Sequence, residues 1–257
     1  LIDSSLQLGQ GKGGDIEINS ERLVIDQGAQ VNASSFAQGD AGNITIRTKE
    51  FILSGATSTG APSILGTGIS EKGQGNAGKV DIQADRLELF DGGQIQSTIF
   101  GIGNAGEIAL KAREISMSGK TSIGAGAGVS TQIGAGGLGN GGLITIQAEQ
   151  LTLADGAGID SATFSQGNAG SIQLVVDHLR LNFADIASSV EAGAKGNGGE
   201  ILINSKTISS DDFSLISVST AGEGKGGNVS INADSLQVLK GMQIQAATFA
   251  GGVGDAG

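Results

Sequence analysis

Apolar and polar residues alternate strictly along this chain, in short runs that restart after each Gly-x-(Ala/Gly)-Gly tetrad. Alternation with a period of two puts every second side chain on the same face, the signature of a strand and not of a helix. The first run after the tetrad carries the pairs Ile16/Ile18, Ile44/Ile46, Val80/Ile82, Ile108/Leu110, Ile144/Ile146, Ile172/Leu174, Ile201/Ile203 and Val229/Ile231. Seven residues later a second run carries Leu23/Ile25, Phe51/Leu53, Leu87/Leu89, Ile115/Met117, Leu151/Leu153, Leu179/Leu181, Ile208/Ser210 and Leu236/Val238, where only Ser210 is polar. A third, looser run includes Val31, Ile95, Ile159, Ile186, Ile216 and Ile244.

The tetrads open at Gly11, Gly39, Gly75, Gly103, Gly139, Gly167, Gly196, Gly224 and Gly254, at spacings of 28, 36, 28, 36, 28, 29, 28 and 30 residues. A unit of this size cannot bury its own apolar face and must stack on its neighbours. The pattern predicts an all-β protein, a right-handed parallel β-helix (β-solenoid) with three strands per coil and about eight coils of ~28 residues. Residues 1–257 form a single solenoid domain, and the repeat in progress at Leu1 and reopening at Gly254–Gly257 suggests a fragment of a longer chain.

Three features modulate the repeat. Asn76, Asn104, Asn140, Asn168 and Asn197 fall at one turn position of successive coils, where stacked amides form a structural ladder. The coils at 39–74 and 103–138 are longer by eight residues, within Gly55 to Gln74 and Gly119 to Leu138. Loops on a rigid scaffold are natural contact sites, so Ile64, Leu65 and Ile69 in the first and Ile123, Val129 and Ile133 in the second are candidate contact residues; extra core strands are the competing expectation. Ordinary coils instead place Phe36, Phe100, Phe164 and Phe249 at one identical offset.

Composition narrows the function classes. The chain has 46 glycines, eight phenylalanines as its only aromatics and no cysteine, so small branched side chains must fill a narrow interior and no disulfide or Cys-ligated metal exists. A formal charge of −11 argues against nucleic acid and against an anionic membrane surface, and no apolar run is long enough to insert into a bilayer.

The Gly-Asn-Ala-Gly openings at Gly103–Leu110 and Gly167–Leu174, and the Leu-x-Leu-x-Asp-Gly segments at Leu87–Ile95 and Leu151–Ile159, resemble the repeat region of filamentous-haemagglutinin-like exoproteins, especially the large cyanobacterial ones. The resemblance covers essentially the whole chain. It implies two-partner secretion through an outer-membrane transporter, an extracellular or cell-surface location, and a rod or fibre serving adhesion or matrix assembly. The expected partners are the chain itself end to end, or a host or neighbouring-cell surface or glycan.

The residues that could support other chemistry fit the repeat instead. Gly-x-Gly-x-x-Gly recurs, as at Gly101/Gly103/Gly106, but a strand follows where a dinucleotide site requires a helix. His178, the lone histidine, supports neither a His-rich metal site nor a triad. Asp211-Asp212 is an adjacent acid pair, while Asp91 and Asp155 occupy matching turns where Asp caps its own backbone. Glycoside chemistry wants two carboxyls in a cleft. The repeat is too long for a calcium-binding nonapeptide ladder, and the outward residues of the first strand form no threonine row for ice binding. The expectation is a non-enzyme with no cofactor or metal. The alternative is a carbohydrate-binding or carbohydrate-active β-helix, which would act through Asp211 or Asp212.

Overall fold

The aliphatic columns become the inner walls of a β-solenoid in the computed structural model, which describes residues 1–249 and 252–256. Gly257, the last residue of the ninth tetrad, lies outside the described residues. The strands in chain order are β1 (Ile2–Asp3), β2 (Ile16–Ile25), β3 (Gln30–Asn32), β4 (Ile44–Ser54), β5 (Ile64–Ile69), β6 (Val80–Gln83), β7 (Arg86–Phe90), β8 (Gln94–Ile99), β9 (Ile108–Lys111) and β10 (Glu114–Ser118). They continue as β11 (Gly128–Ile133), β12 (Leu143–Ala154), β13 (Gly158–Thr163), β14 (Ser171–Asn182), β15 (Asp185–Val190), β16 (Glu200–Ser210), β17 (Leu215–Thr220), β18 (Asn228–Gln237) and β19 (Gln243–Thr248). No helix occurs among the described residues.

Two sheets share these strands. One runs β1-β3-β5-β8-β11-β13-β15-β17-β19, so each coil contributes one rung. Nine rungs at the inter-strand spacing make a stack about 40 Å long. The other sheet holds the first two runs of every coil, which fuse into one bent strand in β2, β4, β12, β14, β16 and β18. They separate only as β6/β7 and β9/β10, around Ala84 and Ala112. Thus two of the three sides of the coil are a single hydrogen-bonded surface folded at a corner. All ladder pairings are parallel, with like residues in register, such as Ile144↔Ile172 and Leu151↔Leu179.

The stacking buries the first two columns almost completely: Ile44, Ile46, Phe51, Leu53, Leu87, Leu89, Ile144, Leu151 and Ile201 are sealed from solvent. Burial loosens only at the ends, where Ile18, Leu23, Val229 and Ile231 are half-buried and Leu236 and Val238 exposed. Ser210, the polar exception, is buried and donates to the Asp212 carbonyl at 2.6 Å.

The third side is built differently. Its inward positions alternate an aliphatic column (Val31, Leu65, Ile95, Val129, Ile159, Ile186, Ile216) with a column of buried hydroxyls (Thr67, Ser97, Thr131, Ser161, Ser188). These hydroxyls hold the closing glycine of each tetrad: Ser97 Oγ accepts from Gly106 N at 2.8 Å, Ser161 Oγ from Gly170 N at 2.8 Å, and Ser188 Oγ donates to Gly170 O at 2.9 Å. Backbone groups that leave the ladder at the turn are thereby satisfied inside the core. The opening glycine has another role. Gly103 sits at φ 148°, and a Cβ there would overlap the Gly75 carbonyl of the preceding coil, so only glycine lets the turns stack this closely.

Outside, the asparagine position forms a continuous chain. Asn104 Nδ2 and its backbone N both donate to Asn76 Oδ1, at 3.1 and 3.0 Å, and Asn140 repeats this on Asn104 at 3.1 and 2.9 Å. The backbone N of Asn168 donates to Asn140 and that of Asn197 to Asn168, at 3.1 and 2.8 Å. Asp40 accepts from Asn76 N below, and Lys225 N donates to Asn197 above. The side-chain oxygen thus serves mainly the backbone of the next turn.

Candidate functional site

The segments Gly55 to Gln74 and Gly119 to Leu138 contain both inserted residues and the ordinary third strand of the coil. Leu65, Ile69, Val129 and Ile133 lie in β5 and β11, buried, in register with Ile95 and Ile99 of an ordinary coil. Ile64 is half-buried beside Gln94. These five residues therefore belong to strands; of the six proposed contacts only Ile123 is exposed, at 67%. The eight extra residues divide between the hairpin and the turn after the strand, because the register offset falls from 36 at Ser54↔Phe90 to 30 at Ile64↔Gln94 and 28 at Gln74↔Ile102.

The inserted residues form two equivalent hairpins, closed by the antiparallel bridges Ala56↔Pro62 and Lys120↔Gly126. In both a threonine organises the tip. Thr57 N donates to Ala61 O and Thr121 N to Ala125 O, each at 2.8 Å, while Thr57 Oγ1 and Thr121 Oγ1 accept from Ala61 N and Ala125 N. The second hairpin reaches the first: Ile123 Cγ2 lies 2.6 Å from where a Cβ on Gly60 would sit. The two insertions join into one ridge across the intervening coil.

The second hairpin also overhangs the outer face of the third side. Gln94 Nε2 donates to Gly126 O at 3.0 Å and pins the hairpin base. Lys120 runs the other way over Gly156, whose φ of 80° and missing Cβ leave room for its methylenes, and its Nζ stands 5.7 Å from the Phe183 ring centroid. A concavity of about 370 Å³ opens beneath, bordered by Gln96, Ser130, Gln132, Asp160, Asp185 and Lys120. An adjoining hollow of about 240 Å³ shares Lys120, Gly156 and Asp185 and is closed by Phe183 and Phe213, whose side chains are 55% and 63% exposed.

Asp160 is the unusual group. Strand alternation points it outward, yet its carboxyl folds back over Gly158, with Oδ2 2.8 Å from the position a Cβ would take there. Gly158 is the register partner of Asp185, so the two carboxyls come side by side. Asp160 is half-buried on the wall of the concavity, and no protein hydrogen bond or ion pair holds its carboxyl among the described residues. Desolvation, then the charges of Asp185 and Glu191, push its pKa up to about 7. Burial also raises Asp185, against the pull of Lys120. The hollow therefore brings together two carboxyls, both shifted upward in pKa, and the side chain of Lys120.

The other singled-out residues lie elsewhere. Asp211 accepts from Arg180 Nε at 2.6 Å across one coil, and Asp212 Oδ1 accepts from Phe213 N at 2.7 Å, so the adjacent acids are an ion-pair partner and a turn cap. Asp91 and Asp155 take left-handed turn conformations at φ 50° and 53°. His178 is exposed, its Nδ1 2.8 Å from Thr207 Oγ1. Among the described residues no three His, Cys, Asp or Glu side chains cluster as metal ligands, and no helix is long and apolar enough to cross a membrane. Sequence reasoning missed Asp160 and Asp185, which look like ordinary solvated strand positions; Gly158 beside them, a gap in the outward row, was the available signal. No family model, curated protein or solved structure matches this chain.

Proposed function

We propose that this chain is a stretch of a rigid extracellular rod, part of a secreted adhesive or matrix-forming exoprotein exported through an outer-membrane transporter. The observation that supports it most is the uninterrupted parallel ladder from β1 to β19 around one closed aliphatic interior, an architecture whose length scales with repeat number. The resemblance of the Gly-Asn-Ala-Gly repeats to haemagglutinin-like exoproteins supports the secreted and adhesive parts, and the absence of cysteine is compatible with export as an unfolded chain. Electron microscopy of the purified protein tests the rod: thin rods or end-to-end filaments are expected, and compact globular particles would refute it. Retention of protein-coated beads on cell and matrix surfaces, compared with beads carrying the heat-unfolded protein, tests adhesion; equal retention refutes it.

Glycan binding by one face is the second reading, favoured by the mixed polar and aromatic hollow beneath the second hairpin.

A further inference from the structure

We propose that the hollow between the second hairpin and the Phe183/Phe213 edge binds a neutral, hydroxyl-rich saccharide, with the Asp160 and Asp185 carboxyls hydrogen-bonding its hydroxyls and Phe213 packing against a sugar face. The inference rests on the glycan-binding reading and specifies its place and its ligand class.

Four observations carry it. First, the polar border contains amides at Gln96 and Gln132, a hydroxyl at Ser130, two carboxyls and the amine of Lys120, so it offers both donors and acceptors to sugar hydroxyls. Second, Asp160 is a half-buried carboxyl on the wall of the concavity, lying over Gly158 with no protein hydrogen bond or ion pair among the described residues, so its bonding capacity is left for a ligand. Third, Phe183 and Phe213 stand at one end with more than half of each side chain exposed, offering apolar faces to the C–H side of a pyranose. Fourth, Lys120 is held over Gly156 and Phe183, where it offsets the Asp185 charge and leaves the site without the excess of cations that an acidic sugar would need. The hydrogen bonds of the β-sheet floor are already used between coils, so recognition falls to these side chains.

The full chain is titrated by calorimetry with cellohexaose, laminarihexaose, chitohexaose and an oligogalacturonate. Binding of at least one neutral hexaose is expected, weakened about tenfold by Phe213→Ala and by Asp185→Asn. Both residues are exposed, so the circular dichroism of these variants is expected to match the parent and to separate lost binding from lost folding. Affinity of the parent falls from about pH 6 to about pH 8 as Asp160, flanked by Asp185, Glu191 and Lys120, loses its proton, while Asp160→Asn stays flat because its amide still donates. If a neutral hexaose binds equally to parent, Phe213→Ala and Asp185→Asn, this site is wrong and the glycan-binding reading stands. If no hexaose binds, both are wrong. If only the galacturonate binds, glycan binding stands but the ligand class and the hollow assigned to it are wrong.

Discussion

Replacing Asp160 with asparagine is expected to stabilise the protein at alkaline pH and change little at acidic pH, the reverse of the usual effect of losing a carboxylate. The folded-state pKa of about 7 lies above the 3.8 of an ordinary aspartate, so between these values the folded chain binds more protons than the unfolded one. Stability from this group is complete below about pH 4 and is lost as pH rises toward 7. At about 1.4 kcal/mol per unit, the two units between about pH 5 and pH 7 correspond to at most about 3 kcal/mol. Because the residue stands on an outward face, relaxation and water entry reduce this, and about 1–2 kcal/mol is the expected gain of Asp160→Asn over the parent between pH 5 and pH 8. Denaturant melts at both pH values measure it. A solenoid can open coil by coil, so amide exchange over Ile159–Thr163 reports the same quantity locally. Parallel pH profiles for parent and variant would show that the carboxyl is solvated as an ordinary aspartate and would refute the reasoning.

Opposite effects are expected from the same substitution at two inward threonines. Thr131→Val removes the buried hydroxyl bonded to Gly142 O and Ser161 Oγ and is expected to cost about 1–3 kcal/mol, whereas Thr163→Val, where the buried hydroxyl has no partner and stacks on Ile133 and Val190, is expected to gain up to about 1 kcal/mol; denaturation midpoints that shift in the same direction would contradict this. Asn140→Ala leaves Asn168 N without its acceptor on an exposed turn, so about 0.5–1.5 kcal/mol is expected to disappear from a chemical melt, and an unchanged midpoint would make the ladder ornamental. Gly156→Ala must strain a left-handed turn and evict Lys120, giving a loss of about 1–2 kcal/mol together with loss of the Lys120–Phe183 contact, visible in the ring resonances by NMR; an unshifted ring would count against the contact.

The first two sides were readable from the chain because their rule is simple: every second residue is aliphatic and sealed, so Ile144, Ile146, Leu151 and Leu153 announce themselves. The third side obeys the same geometry with a different chemistry. Its hydroxyl column looks polar, and only the position of the glycine turn shows that Ser97 and Ser161 point inward to hold backbone. The fused corner strands were hidden by a change of phase: the inward positions pass from Ile144/Ile146 to Leu151/Leu153, and the ladder skips only the Glu149/Asp177 pair before resuming at Gln150↔His178. The hollow was the least legible part. From Gln96 to Phe213 it draws on five coils, and the environment of Asp160 depends on what Gly158 lacks and on a hairpin more than thirty residues earlier in the chain.

The inter-coil bonds all run along the rod, and this sets how the molecule yields to force. Tension on the axis pulls these bonds in line, concentrating load on the outermost turn, so coils peel from a tip in sequence. A peeled residue extends by about 3.4 Å, so a 28-residue coil pays out about 95 Å of slack and a 36-residue coil about 120 Å. A stretched molecule would write its own repeat lengths into its extension trace, with the two long steps marking where the hairpins sit.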